Sequence, residues 1–111
     1  MTTFAASGNT AKAEASVTAT TVAIVTNGTT GFMLTNDASA VGVWANVFAT
    51  STATFGIPTV ATPNSGIYLG PNETKVLVNS AFASPTTATV YLKAVTASGT
   101  ANVWATPGTA L

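Results

Sequence analysis

Ala88-Thr89-Val90-Tyr91-Leu92-Lys93-Ala94-Val95, then Thr96-Ala97-Ser98-Gly99, then Thr100-Ala101-Asn102-Val103-Trp104-Ala105-Thr106 is the stretch on which the fold reading turns. In its first part Ala88, Val90, Leu92 and Ala94 alternate with Thr89, Tyr91, Lys93 and Val95. In its last part Ala101, Val103 and Ala105 alternate with Asn102, Trp104 and Thr106. Successive side chains of a strand point to opposite faces, so small apolar residues at a period of two describe strands buried on one side. The Gly-containing turn between them reads as a hairpin loop, with Pro107-Gly108 as the stop.

Working outward, the rest of the chain has the same character. Thr (23 residues) and Ala (21) dominate, with Val next. Ala favours helix, but Thr and Val are β-branched and fit a pleated surface. Turn signals recur at short intervals: Asn27-Gly28, Asn36-Asp37, Gly56, Pro63-Asn64-Ser65-Gly66, Gly70-Pro71-Asn72, Ser84-Pro85 and Ser98-Gly99. This punctuation predicts strands near 16–26, 32–36, 41–48, 57–60, 67–69, 74–79, 87–95 and 100–106. The fold expected is all-β: a small antiparallel β-sandwich or jelly-roll-like domain over 16–111, preceded by an N-terminal arm over 1–15. The segment Ala11–Ser16 is too short to hold a helix alone, so the arm is expected to be flexible or ordered only against a neighbour.

The chain has 111 residues, enough for one domain with a core of its own. It contains no His, no Cys and no Arg, and its ionisable side chains are Lys12, Lys75, Lys93, Glu14, Asp37 and Glu73. General acid–base catalysis needs a tunable group and a second group to orient it, which this set supplies only if folding gathers it. No catalytic residue and no cofactor are therefore expected. Zn and Cu sites lack their His and Cys ligands. The run Thr35-Asn36-Asp37-Ala38-Ser39 carries one carboxylate and reads as a turn, not a Ca site. Zero formal net charge without a basic patch gives nucleic-acid binding no electrostatic footing. No apolar run approaches the ~18 residues of a membrane helix, and Met1–Ala6 does not read as a secretory signal. Mean hydropathy is +0.45 with 5% charged residues, against about a quarter charged in an ordinary domain. Such a surface suits a protein covered by partners.

The aromatic residues are the main candidates for contact. Val41, Val43, Ala45 and Val47 form one face of their strand, and Gly42, Trp44, Asn46 and Phe48 the other. Trp104 likewise lies opposite Ala101, Val103 and Ala105. If the small aliphatic faces line the core, Trp44, Phe48 and Trp104 point outward, where aromatic residues concentrate binding energy. If the faces are inverted, or both are buried, the same rings are core. Thr18-x-Thr20 and Thr50-x-Thr52-x-Thr54 place hydroxyls on one strand face but do not repeat at the fixed period of an ice-binding solenoid. They read as ordinary strand residues. Lys75 and Lys93 read as solvated strand charges, and Glu73 as a group that bonds the amides of its own turn.

From residue 32 onward the chain resembles a type of small bacteriophage virion protein. A first strand pair of that type reads L-x-N-x-x-x-x-x-V-x-V, here Leu34-Thr35-Asn36 followed by Ala40-Val41-Gly42-Val43-Trp44. A middle part reads G-I-x-L-x-P-G-E-x-x-x-L, here Gly66-Ile67-Tyr68-Leu69-Gly70-Pro71-Asn72-Glu73-Thr74-Lys75-Val76-Leu77. An end part reads V-Y-x-x-A-x-x-A-S-G-T-A-x-V, here Val90 through Val103. Asn72 stands where Gly is commoner, and Asn tolerates a left-handed turn. The 49–65 segment is longer than usual. The resemblance implies a head decoration (cement) protein on the capsid surface of the virion, with the major capsid protein as partner and a homotrimer as assembly. It also covers a head-fibre base or a tail-associated component; separately, Trp44 or Trp104 beside Asn or Asp would suit a receptor- or glycan-binding module on a tail or fibre. The expected interface residues are Trp44, Phe48 and Trp104, with Phe4 of the arm as a second contact.

Overall fold

The computed structural model describes residues 4–6, 8–26, 29–60, 66–78 and 88–110. The described residues form nine strands: β1 (Phe4–Ala6), β2 (Ala11–Ala15), β3 (Thr20–Thr26), β4 (Gly31–Asn36), β5 (Val43–Phe48), β6 (Ile67–Leu69), β7 (Thr74–Val78), β8 (Ala88–Val95) and β9 (Ala101–Ala110). One sheet has the order β1-β9-β4-β7, with β2 pairing β9 further along the same edge as β1. The other has the order β3-β8-β5-β6. Every pairing is antiparallel. The partners are nested: β2 with β9, β3 with β8, β4 with β7, β5 with β6. A long ribbon folded back on itself and rolled into two sheets gives this pattern, the jelly-roll form of the β-sandwich.

Alternation decides which side of each strand meets the core. Ala13, Ala15, Phe32, Leu34, Ala101, Val103 and Ala105 of the first sheet are buried together with Ile24, Val43, Ala45, Val47, Leu69, Val90, Leu92 and Ala94 of the second. The prevalence of Ala on these faces lets the two sheets approach around the larger Phe and Leu side chains, as close packing requires. The aliphatic face of β5 and of β9 is therefore the inner one, which decides between the two face assignments that the sequence pattern left open.

Several elements depart from the sequence reading. β8 and β9 are not a hairpin: they lie in different sheets, and residues 96–100 carry the chain across the sandwich. Both strands bury one small-residue face against a common core, so their pattern is the same whether they pair or face each other. The crossing is held by Thr96, whose amide donates to the Ser16 carbonyl at 2.8 Å and whose hydroxyl donates to the Gly99 carbonyl at 2.7 Å. Gly99 takes the left-handed conformation, φ 77°. Residues 57–60 are not a strand. Nor does Pro107-Gly108 end β9, which runs to Ala110. Pro107 lies between the stretches of β9 paired with β2 and with β1, and a proline is tolerated where one side of a strand has no partner. Of the N-terminal stretch, residues 4–6 and 11–15 pair with β9 of the same chain, and Ala13 and Ala15 are fully buried. Residues 1–3 and 7 lie outside the described residues.

Asn36, at the end of β4, is fully buried. Its Nδ2 donates to the carbonyls of Val41 (2.8 Å), Gly70 (3.1 Å) and, at longer range, Leu69 (3.3 Å). Its Oδ1 accepts the Ala38 amide at 3.0 Å. One carboxamide thereby joins the β4–β5 crossing to the β6–β7 crossing. In the latter, Glu73 N donates to Gly70 O at 3.0 Å and Asn72 has φ 59°. Pro in second place and a left-handed residue in third is the type II pattern, so Asn72 fills the glycine-like position as expected.

Asn36→Ala removes the side-chain donor shared by the Val41, Leu69 and Gly70 carbonyls, of which Gly70 O keeps the Glu73 amide, and leaves the Ala38 amide without its acceptor; it should cost about 3 kcal/mol of unfolding free energy, read by urea denaturation. Asn36→Asp should not restore it, because a carboxylate accepts but cannot donate. Wild-type stability in Asn36→Ala would remove the side chain from this role.

Candidate functional site

With the inner faces occupied by the core, the outer faces are what the protein offers to other molecules. On the outer face of the second sheet, β5 presents Trp44, Asn46 and Phe48, β6 presents Tyr68, and β8 presents Tyr91 and Lys93. Trp44 and Tyr68 are direct cross-strand partners with ring centroids 4.9 Å apart and planes tilted by 57°. Such pairs contribute beyond their buried area. Tyr68 is 44% exposed and Trp44 half-buried. The tyrosine ring reaches over Gly42, where a Cβ would collide with its hydroxyl. Beside the pair, Val41, Gly42, Ala97 and Ser98 help to line an open groove of about 150 Å³.

Phe48 also projects outward but does not stand in solvent. The segment after β5 folds back, and Phe55 meets Phe48 edge to face at 5.5 Å with only 9% of its own surface exposed. Under this flap lies Lys93, 6% exposed, with Nζ donating to Ser51 O (2.8 Å) and Thr21 Oγ1 (2.9 Å). Lys93 is thus not a solvated strand charge. A buried ammonium must find acceptors, and a backbone carbonyl of the flap supplies one. Thr50, Thr52 and Thr54 belong to this irregular segment and form no strand face.

The first sheet presents Trp104 near the middle of its outer face, flanked by Lys12 on β2 and Thr35 on β4. Its indole Nε1 donates to Asp37 Oδ2 at 2.7 Å, and Lys12 Nζ lies 5.5 Å from the ring centroid. The geometry is that of a cation–π contact. Trp104 remains 38% exposed. Hydroxyl pairs extend the surface on either side: Thr35 with Thr74 at 2.9 Å and Thr10 with Thr106 at 2.7 Å. Phe4, the fourth residue expected at an interface, is half-buried on β1 with its ring over Gly108 of the same chain.

Glu73 and Lys75 are engaged locally. Glu73 Oε1 accepts the Gly70 amide at 2.8 Å, as its place in the turn predicts, and meets Lys75 Nζ at 3.6 Å. Lys75 also donates to Tyr68 O at 2.7 Å. This ion pair sits on the surface, with both side chains more than 40% exposed, where such pairs contribute little to stability. Among the described residues no three acidic, His or Cys side chains cluster as metal ligands would. Periodicity located Trp44, Phe48 and Trp104. It did not locate Tyr68 as their companion, because strand pairing, not sequence, sets it beside Trp44.

No protein-family model, no curated protein and no solved structure matches this chain.

Phe55→Ala should release the flap: limited proteolysis within residues 49–60 should accelerate at least several-fold, while the global urea midpoint moves little. The flap lies outside the core between the sheets, so its opening is a local event. Unchanged proteolysis would show that Phe55 does not anchor it.

Proposed function

We propose that this chain is a structural, non-enzymatic protein whose outer faces are made to be covered, a capsid decoration (cement) protein of a bacteriophage head. The observation that carries the reading is the pairing of exposed aromatic residues with a nearly chargeless surface. Trp44, Tyr68 and Trp104 stand on the two outer faces, and the chain has only six charged side chains, of which Lys12 and Asp37 brace Trp104 and Lys75 pairs with Glu73 beside Tyr68. Apolar patches on a scarcely charged exterior are characteristic of surfaces that bind other proteins. The phage assignment rests on the resemblance of the three strand-and-turn motifs, and the partner it names is the major capsid protein. Binding would work by burial: a stable interface removes roughly 1,200–2,000 Å² from water, and repetition over a lattice adds avidity.

A second reading, a glycan- or receptor-binding module on a tail or fibre, is favoured by the groove beside Trp44 and Tyr68, since aromatic rings suit sugar faces. Binding of host polysaccharide by the isolated protein, lost in Tyr68→Ala, would select it over the first.

The decisive experiment is localisation on intact particles by electron microscopy, where density on the head surface is expected and its absence there ends the cement reading. The double variant Trp44→Ala, Trp104→Ala tests the anchors. Truncating a central interface Trp costs about 2 kcal/mol or more, roughly 30-fold in affinity. Occupancy on the shell should fall accordingly; full occupancy by a folded double variant excludes the two rings as anchors.

A further inference from the structure

Each sheet of the sandwich has two edges, and they are not equally protected. A bare edge offers a row of backbone N–H and C=O groups to any passing strand, and proteins blunt such edges with short strands or charge. β6 has only three residues. β7 carries Lys75, which is ion-paired to Glu73. β2 carries Lys12 and Glu14, and the edge it shares with β1 is broken between the two strands. β3 has none of these devices. It runs for seven residues, Thr20-Thr21-Val22-Ala23-Ile24-Val25-Thr26, without a charge, a proline or a glycine. It pairs only with β8, and among the described residues no other strand pairs with it. Thr21, Ala23 and Val25 are exposed, Val25 at 63%.

The sequence of β3 also reads nearly the same in both directions about Ala23. An antiparallel copy centred there sets Thr20 opposite Thr26, Thr21 opposite Val25, Val22 opposite Ile24, and Ala23 opposite itself. β-branched residues then face β-branched residues on both sides of a small central residue, a favourable cross-strand arrangement. A two-fold axis requires such self-complementarity. Val22 and Ile24 point to the core side, so the pairing would continue the inner apolar row from one copy into the next. Zero net charge removes the repulsion that would oppose it.

We infer that β3 is a self-association edge: two copies of this chain join antiparallel through β3, about a two-fold axis at Ala23, merging their four-stranded sheets into one. This is a different assembly from the trimer that the resemblance implies, and it stands independently of the proposed role on a phage head.

Three variants of the full chain test it. Sedimentation equilibrium should give a dimer mass for the natural sequence. Ala23→Lys sets two ammonium groups against each other across the axis and should shift the mass to monomer; Ala23→Glu should do the same. Mixing the two should restore the dimer, which a variant that merely misfolds cannot do. Because the chain has no cysteine, Ala23→Cys gives a further readout. Directly opposed antiparallel residues have Cα atoms about 4.5–5.5 Å apart, within disulfide range, so mild oxidation should cross-link this variant nearly completely. Ser98→Cys, in the exposed β8–β9 crossing, should cross-link far less. A monomeric natural chain, a trimer or dimer that Ala23→Lys leaves intact, or equal cross-linking at 23 and 98 overturns the inference.

Discussion

The buried carboxamide of Asn36 is the interaction on which the arrangement of strands most depends. A jelly roll must pass repeatedly from one sheet to the other, and each passage takes backbone out of a ladder. Buried carbonyls left behind there must find donors elsewhere. Asn36 supplies them to two passages at once, Val41 O in the β4–β5 crossing and Gly70 O in the β6–β7 crossing, and its Oδ1 takes the Ala38 amide. Thr96 does related work for the other two crossings at this end, through Ser16 O and Gly99 O. The Asn36 side chain, together with the backbone amide and the hydroxyl of Thr96, thus ties the four crossings at one end of the sandwich.

With that end tied, the alternation of the strands sorts the chain into an inside and an outside. The inner rows are small and aliphatic and fill the space between sheets. The outer rows carry both tryptophans and Phe48, and these three are braced: Trp44 by Tyr68, Phe48 by Phe55, Trp104 by Asp37 and Lys12. Braced rings lose little conformational freedom on binding, which favours their use as anchors. The jelly roll itself does not specify a function, since the same architecture serves unrelated roles. The functional reading comes from what the outer rows present and from how few charges accompany them.

Local pattern and tertiary context each account for a distinct part of the structure. Strands with one parity of small apolar residues, such as β5 and β8, were legible within a few residues, and so was the turn at Gly70–Glu73, whose Pro, Asn and Glu each have a stated local job. The pairing of β8 was not legible, because a strand that faces another across a core has the same alternation as one beside it. The burial of Lys93 was hidden for a similar reason. On its own strand it occupies an outward position, and only the return of residues 49–60 covers it. Thr50, Thr52 and Thr54 misled in the opposite sense, since Thr favours strands but does not create one where no partner strand is available.

Two properties follow from the order of residues alone: the chain is all-β, and Trp44, Phe48 and Trp104 lie on the parity opposite the small aliphatic residues of their strands. Side-chain period and residue shape set these, and both act within a few residues of the chain. The folded arrangement adds that the small aliphatic parity is the buried one, that β8 and β9 lie in opposite sheets, that β2 joins the core, that Tyr68 stands beside Trp44, and that among the described residues β8 is the one strand paired with β3. Those outcomes depend on which strand lies next to which. That choice is made by non-local hydrogen bonds and shared burial, and no single segment encodes it.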